Sequence, residues 1–283
     1  MLPPPMRGPE PVAPPQMAGA TAHALERFQE KWAPVFRPEP RQNKESEHFR
    51  DSEKRENVPG PAIAICIDDL GANRPGTLRA IALPHQVALA FFPFAPATPR
   101  LAEAAERAGH DVLAHVPMQT LEPVAPSPMT LTVDAPDNVA RLEWNIARVP
   151  GLIGVNNHQG SRFTEDAAAL EPVMQALAAR HLFFFDSRTA PGTVAVAVAR
   201  RHDLLSAGRD VFLDNVEEDA AVRRQLDRLM AIARRRGVAI AIGHPHDVTL
   251  AVLASWLKED HGVRLVTLPE AMRMKEGDAL AER

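Results

Sequence analysis

The sequence predicts an α/β domain over residues 61–275, folded as a distorted or incomplete (β/α) barrel with seven to eight mostly parallel strands. Three observations lead there. Short apolar runs alternate with amphipathic segments along the whole stretch. The runs are continuously apolar, as strands covered on both faces require. Nearly every run then stops at a polar cluster, and in a parallel barrel the C-terminal strand ends share one rim.

The strand candidates are 62–67, 87–92, 112–116, 152–155, 183–185, 211–213, 238–242 and 264–268. The helices between them have legible ends. Thr98 reads as an N-cap with Pro99 at the first helical position, and Gly109 closes that helix. Val139, Leu142, Ile146 and Val149 recur at spacings of three and four. Val222, Leu226, Leu229 and Ala233 do the same before Gly237. Pro172 predicts a kink or a late start in a helix over 165–180.

Outside the domain the composition changes. Residues 1–60 alternate prolines with charged clusters, too sparse in apolar groups to offset chain entropy, and are expected to be disordered apart from a short helix at 22–32. Residues 276–283 read as a flexible tail. Apolar residues make up 45% of the chain, enough for a sizeable core. A net charge of −4 without a basic face gives no nucleic-acid footprint, and Arg234, Arg235 and Arg236 read as a solvated helix end. No apolar stretch is long enough to span a membrane, and the first residues lack the pattern of a signal peptide. The single cysteine, Cys66, excludes an intrachain disulfide and reads as a small buried hydrophobe. GxSxG, GxxxxGK[ST] and GxGxxG are absent, so neither a serine-esterase elbow nor a phosphate-cradling loop is supported. Trp144 and Trp256 fall in predicted helices and read as packing residues.

The strand ends carry the chemistry. They read Asp68–Asp69, His115, Asn156–Asn157–His158, Asp186–Ser187–Arg188, Asp214–Asn215 and Gly243–His244. Each alone has an ordinary structural explanation as a cap, a turn former or a bonded histidine. Their coincidence at successive strand ends favours a functional ring. Carboxylates and imidazoles without cysteine suit zinc, manganese or a similar ion with open coordination positions. A carboxylate beside such an ion serves as general base and an imidazole as general acid.

The runs IAICIDDLG, GHDVLAHVPM, GVNNHQGSRFT, FFFDSRT, DVFLDN and AIGHP resemble, in order and approximate spacing, the motifs of the divergent polysaccharide deacetylases. The resemblance covers residues 62–268. It implies metal-dependent removal of acetyl groups from N-acetylated sugars of an envelope polysaccharide or peptidoglycan. It also implies a divalent cofactor, zinc foremost, with manganese, cobalt or nickel as alternatives. By position Asp68 is the general base, and Asp69 and His115 bind metal. In the wider superfamily a second histidine follows four residues after the first; here that position holds Gln119, a poor ligand, and His158 of the NNHQGS run is the replacement. His244 resembles the late histidine that protonates the leaving amine. Asn157, Asp186, Arg188 and Asp214 follow as supporting or substrate-binding groups.

Two further readings stay open on the sequence. The same ring serves a metal-dependent amidase or esterase, and Gln119 favours a non-catalytic protein that binds glycan or a partner. The proline-rich spacer and the resemblance together favour the periplasm or cell envelope. The oligomeric state is not written in the sequence.

Overall fold

A computed structural model describes residues 60–281; the segment read at 1–59, including the helix at 22–32, lies outside the described residues. The strands are β1 (Ala62–Leu70), β2 (Ala88–Phe91), β3 (Val112–Met118), β4 (Leu152–Gln159), β5 (Phe183–Asp186), β6 (Ser206–Gly208), β7 (Val211–Phe212), β8 (Val238–Gly243) and β9 (Arg264–Leu265). The helices are α1 (Arg74–Ile81), α2 (Thr98–Arg107), α3 (Asn138–Ile146), α4 (Ala167–Ala178), α5 (Ala195–Arg201), α6 (Asp219–Arg236), α7 (Asp247–Trp256) and α8 (Leu268–Ala281). Neighbouring strands pair in parallel in the order β6, β5, β4, β3, β2, β1, β8, β7, and β9 adds to β1. The path ends at β6 on one side and β7 on the other, so the (β/α) barrel is incomplete at that seam. Among the described residues no helix is long and apolar enough to cross a membrane.

The apolar runs do what their lack of alternation implies. Every residue of β3 and β8 is buried, as is every residue of β1 except Asp69. The period-four faces of α6 and α3 also reach the core at Val222, Leu226, Leu229, Ala233, Leu142 and Ile146. Val139, read as part of the α3 face, is exposed; Asn138 and Asn145 are buried there instead, bonded to backbone carbonyls of the preceding loop. Thr98 lies just inside α2, and its hydroxyl donates to Phe92 O at 2.6 Å instead of capping the helix. Helix α4 starts late, at Ala167, because Asp166 caps it through Ala169 N; Pro172 then sits within the helix.

The seam is stitched by backbone and side-chain bonds. Arg209 N donates to Asp186 O, while Asp210 N donates to Ile240 O. Asp210 Oδ2 accepts from Ile240 N at 2.8 Å and from Lys275 Nζ at 2.7 Å. Lys275 also donates to Gly208 O, and Ser206 N donates to Glu276 Oε1. These contacts explain two departures from the sequence expectation. Strand β6 has no apolar run to announce it. Helix α8 continues through residues 276–281, which the sequence reading leaves to a tail, because its middle turn spans the open edge.

Two glycines test this packing with opposite signs. A Cβ at Gly154 would lie 2.4 Å from the buried ring of Phe183, so Gly154→Ala should cost about 1–3 kcal/mol. Gly277 lies inside α8 with nothing within 4 Å of a Cβ, so Gly277→Ala should stabilise by roughly 0.5–1 kcal/mol. Chemical denaturation measures both, and an unchanged midpoint for Gly277→Ala would contradict the continued helix.

Candidate metal centre and active site

Successive strand residues point to opposite faces, so two adjacent aspartates cannot both serve one pole from a regular strand. At the end of β1 the pairing with β2 shifts between Ile67 and Leu70, and Asp69 takes a left-handed φ of 59°. Such a backbone is costly for a residue with a Cβ and gathers at functional sites. Its effect is to bring both carboxylates to His115. Asp69 Oδ1 lies 3.1 Å from His115 Nε2, and Asp68 Oδ2 lies 3.8 Å from His115 Nδ1.

His158 completes the cluster. Its Nδ1 lies 3.3 Å from Asp69 Oδ1 and 3.3 Å from His115 Nε2. The three candidate ligand atoms therefore form a nearly equilateral triangle. Zinc at about 2.0–2.1 Å from tetrahedral ligands separates them by about 3.3 Å, so the triangle matches without rearrangement. Asp69 Oδ1 is buried and has no hydrogen bond of normal geometry, as expected of an atom shaped to meet a cation. Burial alone would raise the Asp69 pKa, but the two imidazoles hold the carboxyl well below the usual carboxylate range. It is therefore ionised, as a ligand must be.

The supporting layer is set by Asn156, the register partner of His115 across β3 and β4. Asn156 Nδ2 donates to Asp68 Oδ1 at 2.8 Å, which turns its Oδ1 toward His115 Nδ1 at 2.9 Å. An amide oxygen only accepts, so His115 carries its proton on Nδ1 and leaves Nε2 free for a cation. Burial lowers the His115 pKa, but the Asp68 and Asp69 carboxylates outweigh it and raise the value; for His158 burial prevails and lowers it. Cys66, buried as expected and with its thiol pKa pushed up by burial, also donates to Asp68 Oδ1 at 3.3 Å. Phe92 meets His158 edge-on at 4.7 Å and stacks on Phe94, giving the centre one apolar wall.

His244 follows β8, and the pairing of Ile67 with Gly243 sets it beside Asp68 on the same rim. Asp214, after β7, accepts from His244 Nδ1 at 2.9 Å, His244 N at 2.6 Å and Thr249 Oγ1 at 2.9 Å. The imidazole is held by its Nδ1, so Nε2 is the atom available to a substrate. Burial works against its charge, yet the Asp214 bond and the fields of Asp214, Asp68 and Asp69 raise its pKa to about 9.

The remaining expected site residues are arranged differently. Asn157 points away from the triangle: its Oδ1 accepts from Ser187 N and its Nδ2 donates to Gln159 O, tying the β4 and β5 ends together. Asp186 is buried in its own loop, accepting from Arg188 N and Thr193 Oγ1, and burial raises its pKa. Arg188 has a left-handed backbone and an exposed side chain. Gln119 accepts from Val133 N at 2.9 Å, so it fastens the loop after β3 and takes no part in the cluster. The sequence reading places Asn156 in the strand-end ring but gives the supporting role to Asn157, and it does not include Thr249. The two-residue period of β4 holds a signal for Asn156, since it shares a face with His158; Thr249 comes from the first turn of α7 and carries none.

Comparisons with known proteins bear on the family and the fold. Residues 65–272 match the family model described as divergent polysaccharide deacetylase. The uncharacterized protein YibQ of Escherichia coli is 36% identical over 193 residues, which span 68% of this chain and 60% of that protein. The matched region is thus less than two thirds of that relative's length. An uncharacterized Haemophilus influenzae protein is 37% identical over 198 residues, spanning 69% of this chain and 71% of its own. The crystal structure of an uncharacterized protein from Agrobacterium tumefaciens superposes with a TM-score of 0.72 at 31% identity, covering 75% of this chain and 89% of that one. By the match over most of its described residues, the chain belongs to the divergent polysaccharide deacetylase family.

Proposed function

We propose that the protein is a metal-dependent hydrolase that removes acetyl groups from N-acetylated sugars of an envelope polysaccharide or peptidoglycan, acting in the periplasm or cell envelope. The triangle of Asp69 Oδ1, His115 Nε2 and His158 Nδ1, with Asp68 and His244 on the same rim, is the observation that carries this reading. A divalent cation held by these three groups, zinc first among candidates, would supply Lewis-acid polarisation and acidify water at that place. Asp68 would take a proton from the attacking water, since its Oδ1 is held by Asn156 and Cys66 while Oδ2 remains available. His244, held by Asp214, would give a proton to the departing nitrogen. Arg188, exposed at the β5 end, is placed to meet sugar hydroxyls or a neighbouring anionic group.

The catalytic reading is supported over a non-catalytic binder by three candidate ligand atoms that converge without Gln119. Other amide and ester substrates of the same centre are distinguished by assay. Acetylated chitooligosaccharides or muropeptides, offered to metal-loaded protein, should release acetate, with an aryl acetate as the activated comparison. Tight metal binding with no turnover on any of them would overturn the catalytic reading.

Metal binding should divide the site residues. Asp69→Ala, His115→Ala and His158→Ala should lose the ion, and Asp68→Asn should keep it. Asn156→Leu should weaken binding by about 10- to 100-fold by releasing the His115 tautomer. Calorimetric titration of the apoprotein reads each value, and full affinity in His158→Ala would remove that residue from the ligand set.

His244→Ala should lower kcat on an N-acetyl sugar by about 10²–10⁴ and much less on an aryl acetate, whose leaving group needs little protonation. A pKa raised to about 9 keeps the imidazolium present below that pH, so activity should fall as pH rises through about 9. Asp214→Asn should move that limb downward. Equal losses on both substrates, accompanied by loss of metal, would make His244 a ligand.

A further inference from the structure

The same rim carries a second group of donors. Asp214, His244 and His246 each offer one ligand atom, and the three atoms lie within 4.8 Å of one another. The His244 and His246 rings are 5.8 Å apart, and His246 Nδ1 lies 3.3 Å from Glu217 Oε2. Asp214 is anchored and buried, whereas the His246 and Glu217 side chains are 37% and 60% exposed, which gives an entry path. His246 stands at the N-cap of α7, where a short polar residue usually serves, yet its side chain makes no capping bond. Pro245 joins the two histidines through an extended link, so both project from one rim loop.

We propose that Asp214, His244, His246 and Glu217 form a second cation site that, when filled, withdraws His244 from acid catalysis. Two imidazoles and two carboxylates are a donor set suited to zinc. Ligand atoms around such an ion stand about 3.3 Å apart, and rotation of the half-exposed His246 closes the remaining distance. The two carboxylates also offset the α7 N-terminus, whose dipole disfavours a cation. The entering ion takes the lone pair of His244 Nδ1, and the Nδ1 proton leaves to solvent. The Asp214–His244 hydrogen bond is then lost, and no imidazolium remains to protonate a leaving group. The binding stands on its own geometry; only its effect on turnover rests on the role proposed for His244.

The test uses untagged protein carrying one equivalent of Zn²⁺, titrated calorimetrically with more Zn²⁺ while ¹⁵N imidazole signals are followed. Wild type should take a second ion, with the His244 and His246 signals shifting together. His246→Ala and Glu217→Gln, both at accessible positions, should weaken the second ion by at least about tenfold and leave the first unchanged. His158→Ala should do the reverse. Excess Zn²⁺ should suppress release of acetate by wild type and spare His246→Ala. A single ion in wild type, or undiminished second-ion affinity in His246→Ala, would overturn the site. A second ion that leaves the His244 signals and turnover untouched would overturn its inhibitory role. If singly loaded wild type has no turnover, the proposed function fails, while calorimetry and the imidazole signals still decide the second site.

Discussion

Everything at the rim depends on the backbone turn at Asp69. Neighbouring side chains on a strand diverge, and a site that needs two carboxylates within reach of one imidazole must break that rule locally. The break occurs where β1 leaves its register with β2 and Asp69 enters the left-handed region. That conformation is unfavourable for an aspartate in isolation, and the surrounding barrel must hold it. The burial of β1 along its whole length supplies the rigidity, because its other residues are packed from both sides.

A second constraint follows from burial. Asp68, His115 and Asn156 are nearly inaccessible, so each donor and acceptor among them must be matched or left at high cost. The Asn156 amide satisfies one atom of each neighbour at once, and its fixed polarity decides which face of His115 is free. The atom left unmatched is Asp69 Oδ1, at the one position where the imidazole nitrogens converge. His244 is governed differently: Asp214 supports it from below, and the pole's negative charge favours its protonated form. One rim thus holds a candidate ligand, Asp69, kept ionised and an imidazole, His244, kept protonated.

Much of this was legible in the sequence because parallel strands covered on both faces leave few places for polar residues except their ends. Asp68, Asp69, His115, His158, Asp214 and His244 stand out for that reason, and the family match supports the barrel that gathers them. What escaped was set by contacts without local pattern. Strand β6 is three small residues held by α8 and by the strand beside it, and no apolar run marks it. Choosing Asn157 over Asn156 required knowing which face of β4 turns inward, a matter of register that composition leaves open. Gln119, read from sequence as a poor ligand, has its amide tied to a loop, and the candidate ligand atom read in its place, on His158, lies on the next strand.

The central claim is that Asp69, His115 and His158 together hold the ion, with the loop position Gln119 outside it. Anomalous diffraction at the zinc edge, from crystals of protein reconstituted with one equivalent of zinc, tests it most directly. The account predicts a single strong peak about 2.0–2.2 Å from Asp69 Oδ1, His115 Nε2 and His158 Nδ1, with Gln119 still bonded to Val133 N. A peak coordinated by Gln119, or none within the triangle, would contradict it.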